Sequence, residues 1–166
     1  MNMRQLQLQQ QDKSLRSKGQ SIVEILLALL VFSIAFISLV ILVNNYLKIL
    51  KTAKDRIIAN FLAQEGLELV IAKRNINKVQ MNPWLMDLDY NSFCVDINLS
   101  PKQSNDPCQL YLNSNNQFVH NSGTPTPFYR LIILDKSTDI ATVTSRVVFD
   151  ENQKVELETV ITDWLP

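Results

Sequence analysis

The sequence predicts an α+β fold: a long N-terminal helix, apolar enough in its first half to cross a membrane, packed on a small C-terminal antiparallel β-sheet. Three observations predict it. From Ile25 to Val43 the chain carries no charge, glycine or proline. Helical spacing then continues, and no proline occurs before Pro83. Beyond Gly123, three segments rich in β-branched residues follow one another across short polar turns.

Met1 to Gly19 is polar and glutamine-rich, with Arg4, Lys13, Arg16 and Lys18 against Asp12, and reads as a disordered cytoplasmic leader. A membrane span at about 22–43 follows it. At about 1.5 Å per residue, roughly 20 residues cross a hydrocarbon core of about 30 Å. Each Leu, Ile, Phe or Val near the centre favours insertion by a few tenths of a kcal/mol. A secretory signal would have a shorter apolar region ending at a small-x-small cleavage site. Here the run leads into Asn44-Asn45-Tyr46-Leu47, so the segment stays in the protein.

Glu24 stands at the edge of this span, where a carboxylate costs free energy unless something neutralises it. If the chain were cut after Gly19, Gln20 would carry a new α-amino group, with an unperturbed pKa of about 8. Within one helix the two charges meet only if the free terminus folds back. Between staggered copies, Glu24 of one chain can meet the terminal amine of the next, which would make the pair an assembly code.

The stretch Lys18-Gly19-Gln20-Ser21-Ile22-Val23-Glu24, with the apolar run behind it, resembles the class III signal of type IV pilin-like proteins. That group includes the pseudopilins of type II secretion and competence systems. The matching features are a basic leader ending Lys18-Gly19, a Glu at the fifth position after the glycine, and an uninterrupted apolar segment. Glycine is scarce, Gly19, Gly66 and Gly123 being the only three, so one at the required place is informative.

The resemblance implies cleavage after Gly19 by a prepilin peptidase, methylation at Gln20, and polymerisation with other pilin or pseudopilin subunits through the apolar helices, with Glu24 acting in assembly. It also implies a single pass through the cytoplasmic membrane with the N-terminus inside, because the peptidase of this family works on the cytoplasmic side. Charge alone does not orient the span: Lys48, Lys51, Lys54 and Arg56 beyond it match the four basic residues before it. Two departures stand out. Gln20 replaces the usual phenylalanine, and the span lacks the mid-helix proline of many pilins; with the length of the leader, the first inclines the reading toward a minor or initiating subunit. The alternative is a bitopic, signal-anchored membrane protein with an exported binding or sensor domain.

Past the span, Leu50, Ala53, Ile57, Phe61, Leu62, Gly66, Leu69 and Val70 recur at spacings of three and four. They extend the helix over 20–75, its second half amphipathic and packed on the following domain, with Gly66 placed for close approach. Residues 76–166 then form an exported loop-rich and β domain. Cys94 and Cys108 are the only cysteines, and such a pair in an exported domain reads first as a disulfide. A zinc site built from them and His120 has the wrong spacing and no fourth ligand. Asp87-Leu88-Asp89-Tyr90-Asn91 opens like a calcium loop, but Ser92 stands where glycine is needed and Asn98 where the bidentate glutamate belongs.

After the turn signal Gly123 to Pro127, strands are expected over Phe128–Leu134, Ala141–Phe149 and Lys154–Ile161. Val143, Val147 and Phe149 share one face of the second; Val155, Leu157 and Ile161 share one face of the third. Phe93 to Ile97 and Gln109 to Leu112 read as further edge strands. The formal net charge is zero with one histidine, so no basic footprint points to nucleic acid. No phosphate loop, Gly-x-Ser-x-Gly or paired thiol motif points to an enzyme or a cofactor.

Overall fold

The computed structural model describes the backbone of residues 3–150 and 153–163, and side chains from Ile22 onward. The leader side chains, Gly19 and Gln20 included, lie outside the described residues. The chain divides into two compact units, Met1–Leu50 and Lys51–Pro166.

Helix α1 runs Met3–Val79 and overshoots the expected 20–75 at both ends. At the C-terminal end the stop is a Schellman motif, with Met81 in the left-handed region (φ 58°). Its amide donates to the Lys78 carbonyl (3.0 Å) and that of Asn82 to the Asn77 carbonyl (2.9 Å). Pro83 then forbids further helix. The buried Asn77 side chain ties this end down by donating to the carbonyls of Trp84 (3.3 Å) and Met86 (2.7 Å).

In the first unit, the described apolar side chains from Ile22 to Val43 are all exposed. α1 is thus a helix near the N-terminus that is long and apolar enough to cross a membrane. Ser33 and Ser38 do not weaken it, since their hydroxyls donate to the carbonyls of Leu29 (2.7 Å) and Ile34 (2.9 Å) one turn back. Each polar group is satisfied within the helix, as a hydrocarbon environment demands.

In the second unit, α1 packs on an antiparallel sheet, seven-stranded among the described residues. The strands are β1 (Ser92–Cys94), β2 (Lys102–Gln103), β3 (Cys108–Leu112), β4 (Phe118–Val119), β5 (Thr124–Lys136), β6 (Ile140–Phe149) and β7 (Gln153–Thr162). β5, β6 and β7 form the expected meander, with Ile132 opposite Ser145 and Val147 opposite Val155. β1 and β3 are not edges: both pair with β5, and each is flanked in turn by β2 or β4.

β5 starts at Thr124, inside the stretch read as a turn. Pro125 and Pro127 are accommodated because β6 pairs with β5 only from Tyr129 onward. The first residues of β5 are therefore bonded on the β3 side alone, where a missing N–H is tolerated.

Two apolar clusters fill the interface among the described residues. One gathers Val70, Trp84, Leu88, Phe93, Ile132, Val143 and Ile161; the other gathers Ala59, Leu62, Ala63, Phe128, Val147, Phe149 and Val155. The helix stripe differs from the expected one. Ala59, Leu62, Ala63, Gly66 and Val70 face the sheet, whereas Leu50, Ile57 and Phe61 are exposed, Phe61 at 67 %. The sheet takes the small residues because they let the helix approach closely.

Gly66 shows how close. A Cβ there would lie 3.0 Å from Arg130 Cδ and from Ile132 Cδ1, and would collide with Ser145 Oγ. In a free helix Gly→Ala gains about 1 kcal/mol; here overpacking of about 1–3 kcal/mol opposes it. Gly66→Ala is expected to lower the stability of the full chain in detergent by about 1 kcal/mol, and a raised urea midpoint would refute the close-approach account.

Candidate functional site

The residues singled out for assembly sit in the first unit. Glu24 lies at the N-terminal edge of the charge-free run, exposed, and has no ion-pair partner among the described residues. Its proposed partner, the amine that cleavage would free at Gln20, belongs to another copy of the chain. Its setting is a carboxylate heading the 22–43 stretch of α1, whose apolar side chains are all exposed among the described residues.

The second unit holds a connected polar system that was not among the expectations from the sequence. Arg130 on β5 is fully buried between the two apolar clusters. Its Nη1 donates to the Leu62 carbonyl (3.1 Å) and lies 3.7 Å from Glu65 Oε2; its Nη2 donates to the Val95 carbonyl (2.8 Å). Burial pushes its pKa down from the ordinary value, while the carboxylates of Glu65 and Asp96 push it back up. One side chain thus joins the helix to the segment after β1. A signal did exist: Arg130 shares its strand face with Phe128, Ile132 and Leu134, a charge at a core position.

Cys94 and Cys108 form a disulfide with Cα atoms 6.0 Å apart. Both sulfurs are bound to each other rather than to any metal. The bridge joins β1 to β3, and beside it lies a cavity of about 450 Å³ lined by Asp96, Asn98, Lys102, Tyr111, His120 and Asn121, among others. Asp96 is buried, and it accepts from the Asn98 amide (3.0 Å) through Oδ1 and from the His120 amide (3.1 Å) through Oδ2. The His120 ring places Nδ1 3.1 Å from the Gln109 carbonyl and Nε2 3.1 Å from the Val95 carbonyl.

The acidic turn at Asp87 and Asp89 does not converge on a common point. Asp87 pairs with Lys73 (2.8 Å) and Asp89 with Lys136 (2.6 Å), while Leu88 between them is buried in the core. No group of three metal-ligating side chains occurs among the described residues.

The hydrogen bond from Lys136 holds the Asp89 carboxyl below its ordinary range, and those from Arg146 and Lys154 do the same for Glu156. A folded pKa below the unfolded one gives stability at higher pH that is lost as the pH falls through the folded value. Both groups are solvent-exposed, so the effect is small. Urea midpoints of the full chain are expected to drop only below about pH 4 from this source, and Glu156→Gln should flatten that drop.

Comparison with family models, with characterised proteins and with solved structures finds no match to this chain.

Proposed function

We propose that the chain is a structural subunit, a minor pilin or pseudopilin, of a type IV pilus, type II secretion or competence filament. In this reading a prepilin peptidase cuts after Gly19, and the product assembles through its apolar N-terminal helix. The N-terminus faces the cytoplasm and residues 76–166 are exported.

The observation that carries the reading is Glu24. It is the one carboxylate flanking a long charge-free run, and it stands at the fifth position after the glycine that closes a basic leader. A carboxylate so placed is costly unless a partner offsets it, and the amine freed at Gln20 of a neighbouring subunit is a partner that cleavage creates. The Cys94–Cys108 disulfide supports an exported domain, because disulfides persist in oxidising compartments.

The test has two parts. In cells carrying the peptidase, the mature chain is expected to begin at Gln20 by mass spectrometry, and replacing Gly19 with a bulky residue should leave full-length chain in the membrane. Glu24→Ala should insert at least as well as the parent, since it removes a polar group from the span edge. Its recovery in crosslinked filaments should nevertheless fall about tenfold or more, as one pairing worth at least about 1.4 kcal/mol would require. Intact precursor from the unmodified sequence would favour the signal-anchored alternative. Filament recovery of Glu24→Ala equal to the parent would remove the charge-pair account.

A further inference from the structure

His120 has more acceptors around it than a neutral imidazole can serve. Its two ring nitrogens each lie 3.1 Å from a backbone carbonyl, Nδ1 from Gln109 on β3 and Nε2 from Val95 just after β1. A neutral ring carries one N–H and one lone pair, so it donates to one carbonyl and turns its lone pair on the other. A ring protonated at both nitrogens donates to both. Histidine is the side chain whose unperturbed ionisation falls between pH 5 and 8.

We propose that His120 is a proton-operated latch, which in its doubly protonated form clamps the disulfide-bridged segment 95–107 to β3 and in its singly protonated form releases one of the two clamps.

The surroundings fit a latch rather than a passive filler. Val95 O also accepts from Arg130 Nη2 (2.8 Å), so the carbonyl that His120 holds is the one that ties this segment to the helix. The His120 backbone amide donates to Asp96 Oδ2, which ties the His120 backbone to the same segment. The charged and titratable groups facing the ring come from every neighbouring element. Asp96 after β1 brings a negative charge to these surroundings, Arg130 on β5 and Lys102 on β2 bring positive ones, and Tyr111 on β3 brings a hydroxyl. Cys94 and Cys108 do not titrate, being bonded to each other. The cavity beside the ring is lined in part by this segment, through Asp96, Asn98 and Lys102.

The sign follows from proton count. The clamped form binds one more proton than the released form, so acid favours it and the clamp weakens as the pH rises. This is opposite to the carboxylate pairs of Asp89 and Glu156, which lose their contribution at lower pH.

The experiment uses the full chain in detergent micelles. Amide hydrogen exchange of residues 95–107 and 118–121, corrected for intrinsic rates, is measured at pH 5.5 and 7.5 for the parent and for His120→Gln. The ring nitrogens of the parent are followed by 15N NMR over the same range. The parent is expected to gain roughly tenfold protection in these segments at the lower pH, the scale of one added charge-assisted hydrogen bond, while His120→Gln shows no such gain. Both ring nitrogens should be protonated where protection is highest. Equal protection at the two pH values, or a gain that His120→Gln retains, would overturn the latch. If the variant fails to fold, a parent ring that keeps one bare nitrogen while protection rises overturns it by itself.

Discussion

Replacing Arg130 with alanine is expected to destabilise the sheet-bearing unit by about 3 kcal/mol. Truncating a large, fully buried side chain costs on the order of 3–5 kcal/mol in lost packing and residual cavity. Two hydrogen bonds from a cation, to Leu62 O and Val95 O, are lost as well. Against this, the charge no longer has to be held away from water. Glu65 keeps part of its surface in solvent, so it is not stranded when its partner disappears. Arg130→Met keeps most of the volume without the charge and should cost less than alanine, because it leaves a smaller cavity. A domain of this kind has roughly 5–15 kcal/mol in total, so the alanine variant should show a clearly lowered urea midpoint by tryptophan fluorescence, Trp84 being a core residue. If methionine proved as harmful as alanine, the hydrogen bonds and not the packing would be the main contribution.

Removing the disulfide with Cys94→Ala and Cys108→Ala is expected to cost about 3 kcal/mol, the chain-entropy value for a loop of about 15 residues. The loss should be local in its dynamics. β1 and β2 are short and hang on β5 by few pairings, so they depend on the bridge. β6 pairs with β7 along its whole length and with β5 from Ala141 to Val148, and does not. Hydrogen exchange of the double variant should therefore accelerate in residues 92–104 and remain slow in β6. Uniform acceleration across the sheet would mean that the bridge supports the domain globally.

The helix and the three long strands were legible because each carries enough residues to show a period. In β6 the even spacing of Val143, Val147 and Phe149, set among Thr142, Thr144 and Arg146, fixed both strand and face. β2 and β4, two residues each, are too short for any period and exist only because β1 and β3 offer them partners. The helix stripe was misread for a different reason. Ile57 and Phe61 are as apolar as Leu62, and spacing cannot say which of two apolar faces a sheet will take; the small side chains of Ala59, Ala63 and Gly66 decide it. The ion pairs of Asp87 and Asp89 join residues 14 and 47 positions apart, and no local pattern announces them. For the proposed assembly role, Glu24 was legible as an anomaly of charge, and its proposed partner belongs to a second chain.

The crowding at Gly66 constrains the order in which this sequence can drift. A side chain at position 66 meets the hydroxyl of Ser145 first, and that hydroxyl is itself buried without a hydrogen-bond partner. Shortening Ser145 to alanine removes an unsatisfied group and opens the space, so that step is close to neutral on its own. Lengthening Gly66 is tolerable only afterwards. Of the two mutational routes to an alanine pair, one passes through a sound intermediate and the other through a damaged one, so descendants of this chain are expected to change position 145 before position 66.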